Sequence, residues 1–235
     1  MANIKFIPEG PDEAPLENIF IVDYIEVRRE VNRIATAIIR LANNSEDDDL
    51  KDDNYFKVID SGNFSPGKTL TIKINLKEEE KNENDITLFK GIVVKLDVKA
   101  EVSGGSVEVI LKSSAIKLTT NRHSEIYDAD DSSLIEKILQ RNGMKLTSKP
   151  EATGGKKQET IQYYCSDWDF LMYHLEQNGW MSFVTSKDEF HVIDMNHKKG
   201  EEHIFTYEKS DDENKDKPKK KVMFSLVVVK ITQKN

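Results

Sequence analysis

Apolar residues recur along this chain with two different periods, and the character changes near residue 119. Before that point the period is two. Leu70-Thr-Ile-Lys-Ile-Asn-Leu76 places its apolar residues at even positions only, as a half-buried strand does. Ile19 to Val27 and Ile34 to Leu41 are rich in β-branched residues, with the polar Arg28-Arg-Glu between them. Leu88 to Val98 and Val107 to Leu111 follow, and Gly104-Gly105 between them predicts a hairpin turn. Acidic loops, Glu46 to Asp53 and Glu78 to Asp85, separate the strands. Several antiparallel strands joined by polar turns predict a barrel, because closure removes exposed sheet edges.

After residue 119 a helical period enters. Asp131 to Gly143 has cap candidates at both ends and a stripe of Leu134, Ile135, Ile138 and Leu139. A Gly/Lys-rich turn at 154–157 leads to the end of a strand and then a second helix. Ser166 is its N-cap, and Asp167 and Asp169 put negative charge in the first turn, where the helix dipole favours it. Trp168, Leu171, Met172 and Leu175 have the spacing of one buried face, and Gly179 supplies a left-handed stop. Strands are expected at Met181 to Val184 and Phe190 to Ile193. Beyond a charged loop at 209–221, Val222 to Ile231 is a further strand. The fold class is therefore α+β, mainly β. Its parts are an antiparallel barrel over 1–118, a small α+β domain with two short helices over 119–205, and a charged loop and strand over 206–235.

Composition narrows the function classes. The chain has 235 residues, enough for a sizeable core, and 32% of them are charged. A net charge of −8 argues against nucleic acid or an anionic membrane as partner, since both need a cationic face. The basic run Lys215 to Lys221 adjoins Asp211-Asp-Glu-Asn and reads as a solvated loop. No apolar run approaches the roughly 20 residues of a membrane helix. The first residues, Met1-Ala-Asn-Ile-Lys-Phe-Ile-Pro, show no signal-peptide pattern. Cys165 is the only cysteine, so an internal disulfide is excluded, which suits a reducing cytoplasm.

Five segments in one order carry a resemblance. They are Val31-Asn-Arg-Ile-Ala-Thr-Ala37, Phe64-Ser-Pro-Gly67, Phe89-Lys-Gly-Ile-Val93, Lys117-Leu-Thr-Thr-Asn-Arg122, and the stretch from Gln162 to Gly179. In the last, Gln162, Tyr163, Asp169, Phe170, Leu171, Glu176, Asn178 and Gly179 supply the wording. Together they resemble the valine-glycine repeat (VgrG, or Rhs-element Vgr) spike and hub proteins of type VI secretion and related phage tail hubs, in their Bacteroidetes-type form. The resemblance covers roughly residues 17 to 195.

It implies a non-enzymatic hub or baseplate part of a contractile injection spike. A homotrimer would match a sixfold tube to a threefold spike, with tube and baseplate proteins as partners and effector cargo possible. The protein would be loaded in the cytoplasm and then ejected by the machine. The last strand looks like the start of a second barrel. The family's oligosaccharide-binding-fold neck and glycine-rich needle are not in this sequence, which leaves open whether the short form trimerises. Whether the machine is a type VI system, an extracellular particle or a phage tail also stays open. So do two alternatives, a cell-wall hydrolase and a carbohydrate- or peptide-binding module attached to such a machine. A hydrolase would need a perturbed carboxylate or a metal in a cleft; a binding module would need an exposed aromatic cluster.

The candidate chemistry is thin. Gly62-Asn-Phe-Ser-Pro-Gly-Lys-Thr69 matches the letters of a phosphate loop, but an alternating strand follows where a helix would be required. A turn set by Pro66-Gly67 is the better reading. Ile92 to Asp97 could imitate a strand ending in a magnesium-binding Asp, but without the helix it adds nothing. His191, Asp194 and His197 are potential metal ligands, yet His191 and Asp194 point to opposite faces of one strand. His174 lies beside an apolar helix face. Asp128, Asp130, Asp131, Asp167 and Asp169 sit at helix starts, where capping explains them. Cys165 precedes a helix, which could lower its pKa, and reads as structural. No catalytic, cofactor-binding or metal-binding residue is assigned, and no cofactor is expected.

Overall fold

The computed structural model describes residues 3–10, 21–42, 62–75, 85–101, 104–148 and 158–194. They lie in one compact unit, Met1–Met195. Six strands form a curled antiparallel half-barrel: β1 (Asn3–Pro8), β2 (Ile21–Arg28), β3 (Thr36–Ala42), β4 (Thr69–Asn75), β5 (Ile86–Glu101) and β6 (Gly104–Lys112). Their order is β1-β4-β5-β6-β3-β2, so β1 and β2 are the outermost of the described strands. The two-residue period decides what lies inside. Leu70, Ile72 and Ile74 of β4, Val107, Val109 and Leu111 of β6, and Ala37, Ile39 and Leu41 of β3 all enter the core. The outer face carries charge, as in the ion pair of Arg40 with Glu108 at 3.2 Å. At Gly91 a Cβ would lie 2.4 Å from the Lys112 carbonyl oxygen and 2.6 Å from the Phe89 ring, so only glycine lets the two backbones approach.

A 3-10 helix at Ser114–Thr119 leads out of the sheet into β7 (Arg122–Ala129) and α1 (Asp131–Arg141). Then follow β8 (Leu146–Ser148), β9 (Gln158–Ser166), α2 (Asp167–Gln177), β10 (Trp180–Val184) and β11 (Phe190–Asp194). Strands β10, β11 and β8 make a three-stranded sheet, while among the described residues β7 and β9 pair as a separate antiparallel ribbon. Reciprocal bonds fasten the turn before β3 to β10. Asn32 donates its N–H to the Ser182 carbonyl at 2.8 Å, and Ser182 donates its own to Asn32 Oδ1 at 2.8 Å.

The α+β, mainly-β class expected from the sequence is the class found. Several details differ. The glycines 104 and 105, expected in a turn, instead lie within β6, paired with Glu101 and Ala100; residues 102–103 lie outside those described. The segment Val31 to Ala37 enters β3 through a turn in which Asn32 has φ +55°. On α2 the buried face is Phe170, Leu171, His174 and Leu175 with Asp167, while Trp168 and Met172 are half-buried. The expected strand at 222–231 and the residues of the 206–235 segment lie outside the described residues.

Candidate functional site

The polar residues of the second half converge beneath the ribbon. Ser166 caps α2 as expected, accepting the Asp169 N–H at 3.1 Å. Asp167 does more than feed the helix dipole. Its side chain turns inward and is buried. Gln162 Nε2 donates to its Oδ1 at 2.9 Å, Asn142 Nδ2 to its Oδ2 at 2.7 Å, and Arg141 forms an ion pair with it. Burial alone would push the Asp167 carboxyl up, but these donors outweigh it and hold the group below the usual carboxylate range. Arg141 also reaches Glu125 and the Gln162 amide oxygen. Tyr127 is within hydrogen-bond distance of Gln162 Oε1, at 2.9 Å, and of Glu125 Oε2, at 3.1 Å. Its single proton can serve one of them at a time. Burial foremost pushes the Tyr127 hydroxyl up to about 12. The cluster ties β7, β9 and the two helices together through ionised, well-satisfied groups.

A second, smaller link joins the helices. The Nδ1 of buried His174 lies 2.9 Å from Asp131 Oδ1, and Asn178 Nδ2 donates to the other oxygen at 2.9 Å. The Phe170 ring meets His174 edge-on with centroids 4.7 Å apart. His174 is thus a packed core histidine. Asp130, by contrast, is a plain N-cap, accepting from Ser133 at 3.0 Å, and Asp128 lies exposed on β7.

The remaining candidates do not assemble. Residues 62–68 form a turn that runs straight into β4, and Phe64 at its centre is core. Gly67 there adopts φ +93° and donates its N–H to the Val93 carbonyl. His191 stacks on Phe183 in β10, and among the described residues no group of His, Cys, Asp and Glu is arranged to hold a metal. His197 lies outside the described residues. Cys165 is half-buried and faces His123 across the ribbon, and His123 Nε2 is 3.9 Å from Asp167. No hydrogen bond is found between Cys165 and His123, and Asp167 is already held by its other donors, so the three form no relay. An open hollow of about 350 Å³ beside β2 is lined by both signs of charge, from Arg28, Glu30 and Arg33, with Trp168 at one side.

What the sequence reading missed is the outer face of the ribbon. The aromatics placed from periodicity are indeed buried or half-buried, but others are not. Tyr163 is 82% exposed, Tyr164 65%, and the cross-strand pair Ile126 and Ile161 65% and 62%. Tyr164 holds φ +45°, a left-handed backbone rarely adopted by an aromatic residue. A register shift leaves Ser124 opposite both tyrosines, and its Oγ accepts the Tyr164 N–H at 3.1 Å. The strand's alternation is interrupted there, so adjacent tyrosines both project outward. Arg122 lies over the Tyr164 ring at 5.3 Å. Among the described residues no helix is long and apolar enough to cross a membrane.

The family described as "Alg8 N-terminal domain" matches residues 11–210. Among solved structures, the 43 kDa tail protein of prophage MuSo2 from Shewanella oneidensis superposes with a TM-score of 0.62 at 10% identity, over 82% of this chain and 53% of that one. A type VI secretion component of Escherichia coli, described as structurally similar to bacteriophage tail proteins, gives a TM-score of 0.52 at 15% identity, over 80% and 48%. A tail protein from Neisseria meningitidis gives 0.52 at 7% identity, over 81% and 51%. At such identities the likeness is one of fold. The chain spans about half the length of each of these proteins. No curated protein matches the sequence.

Proposed function

The chain belongs to the Alg8 N-terminal domain family, and from its fold we propose that it is a structural hub component of a phage-tail-like contractile injection machine. The observation that carries this reading is the fold. A curled antiparallel half-barrel followed by a helix-bearing unit superposes on a prophage tail protein over 82% of the chain. The resemblance of the five sequence segments to the VgrG spike proteins, in their Bacteroidetes-type form, supports the same class. In this reading the chain works mechanically, as a homotrimer between tube and spike, with tube, baseplate and cargo proteins as partners. It is loaded in the cytoplasm and ejected on firing.

A non-enzymatic role accords with the chemistry of the buried cluster. Asp167 is held ionised by three donors, and such a group neither donates a proton nor accepts one readily near neutral pH. The test is to tag the chain in the bacterium that makes it and purify sheathed, tail-like particles. The tagged chain is expected in those particles at the end of the tube, and cells lacking it should make particles without a spike. A tagged chain that is absent from purified particles contradicts the reading.

A further inference from the structure

The β7–β9 ribbon is built with its chemistry inverted. Its inward side presents Tyr127 and Gln162, both buried, to the polar cluster around Asp167. Its outward side presents Ile126, Ile161, Tyr163 and Tyr164 to solvent. Isolated exposed apolar residues are ordinary, but four on one face of a two-stranded ribbon form a contiguous patch. The strained backbone at Tyr164 brings both tyrosines onto that side. The polar cluster beneath pins the ribbon to both helices, so the patch is rigid before anything binds. Tyrosine and arginine on a rigid support are the residue types that dominate contact energies.

Charge identifies what fits it. Arg122 stands at one end of the ribbon. At the other end Asp128 and Glu159 are cross-strand partners, two like charges directly opposite one another. Such a pair destabilises a ribbon, and among the described residues no cation is found paired with either carboxylate. The face is thus positive at one end, doubly negative at the other and apolar between. That pattern is complementary to itself after reversal. If a second ribbon is laid face to face with its strands antiparallel to the first, Arg122 of each chain meets the acidic end of the other. With Arg122 over Asp128, the same offset brings Ile161 over Tyr163.

We propose that the outer face of the β7–β9 ribbon is a self-docking surface, occupied by the same face of a second copy of this chain in a two-fold, antiparallel contact. Symmetric contacts of this kind use one patch twice, so one sequence serves both sides. Strands of 8 and 9 residues span roughly 26–30 Å at about 3.3 Å per residue, and two strands are about 10 Å wide, a footprint below the roughly 800 Å² per partner of a standard interface. The pairing is accordingly weak and concentration-dependent. It does not rest on the hub reading, since it is argued from the ribbon's own side chains and their charges.

The experiment is sedimentation equilibrium on three forms of the chain: the parent, Arg122→Glu, and the double variant Asp128→Lys with Glu159→Lys. Circular dichroism confirms that each is folded, and all three positions face solvent. The parent's mass should double as concentration rises, from one chain to two or, where the hub trimer has formed, from three to six. Each charge variant alone should dissociate at least ~10-fold more readily, because like charges then face each other. Mixing the two variants should restore association, since each supplies the sign the other lacks. A parent whose mass does not double, variants that associate like the parent, or a mixture that fails to recover would each overturn the proposal. A threefold mass unaffected by any substitution would overturn it too, while leaving the hub reading intact.

Discussion

The six-stranded sheet and the β7–β9 ribbon follow the same two-residue period and bury opposite chemistries. In the sheet, β4, β6 and β3 send aliphatic side chains inward and leave charged pairs such as Arg40 and Glu108 outside. In the ribbon, Tyr127 and Gln162 go inward to an ionised cluster, while Ile126, Ile161 and Tyr163 face out. A sheet of the first kind is held by the hydrophobic effect and needs no partner. The second kind is held from below by hydrogen bonds and ion pairs together with the Tyr127 ring stacked on Phe170, and its outer apolar side chains stay uncovered. The difference separates the part that makes the fold from the part that presents a surface.

Substitutions sharpen that contrast. The largest loss is expected in the sheet core, where Leu111→Ala removes a fully buried side chain and should cost about 3–5 kcal/mol in denaturant unfolding. Under the ribbon, Asp167→Ala strips the acceptor from Arg141, Asn142 and Gln162. A loss of about 3 kcal/mol is expected, the lower end for a broken buried pair because Arg141 reaches solvent. A loss below ~1 kcal/mol would mean that the cluster does not anchor the ribbon.

Acid titration compares the buried Asp167 with the half-buried Asp188, whose pKa shifts have opposite signs. The folded pKa of Asp167 is lowered, so its contribution is present above the ordinary carboxylate pKa and is lost as pH falls through the lowered value. Asp188, in the turn before β11, is pushed up chiefly by burial while it accepts the Ser114 N–H at 2.9 Å. It withholds stability above its raised pKa, and that stability returns as pH falls through the raised value. Asp188→Asn keeps an acceptor and tolerates the local φ of +66°. It should give a small gain in melting temperature at neutral pH that fades on acidification, whereas Asp167→Asn should show its deficit most clearly at neutral pH. Equal pH profiles for the two variants would remove the distinction.

The smallest effect belongs to the ribbon's outer face. Ile161→Ser at high dilution should change unfolding by no more than about 0.5 kcal/mol, as for a surface site. The same substitution should still weaken self-association.

Much of the fold was legible because the sheet and the helices advertise their buried sides in apolar periodicity. Leu70, Ile72 and Ile74 mark β4, and Leu134, Ile135, Ile138 and Leu139 mark α1, with caps at Asp130 and Ser166. Strand β7 was not read, because Arg-His-Ser-Glu-Ile-Tyr-Asp-Ala buries a tyrosine and exposes an isoleucine. Its alternation carries the inverse of the usual signal. Asp167 looked like one more acidic residue at a helix start, and nothing local says that Arg141 and Asn142, some 25 residues away, come back to meet it. A faint clue was available in Gln162 and the two tyrosines that follow it, polar and amphipathic residues in a strand with no aliphatic stripe.

Hydroxyl-radical labelling of tyrosines, read by mass spectrometry across chain concentration, tests the inverted ribbon most directly. The account predicts that Tyr163 and Tyr164 label readily at high dilution and become protected as the chain is concentrated, while Tyr127 stays protected throughout. Rapid labelling of Tyr127 in the folded chain would contradict the buried polar side. Labelling of Tyr163 and Tyr164 that ignores concentration would contradict the claim that their face is made to be covered.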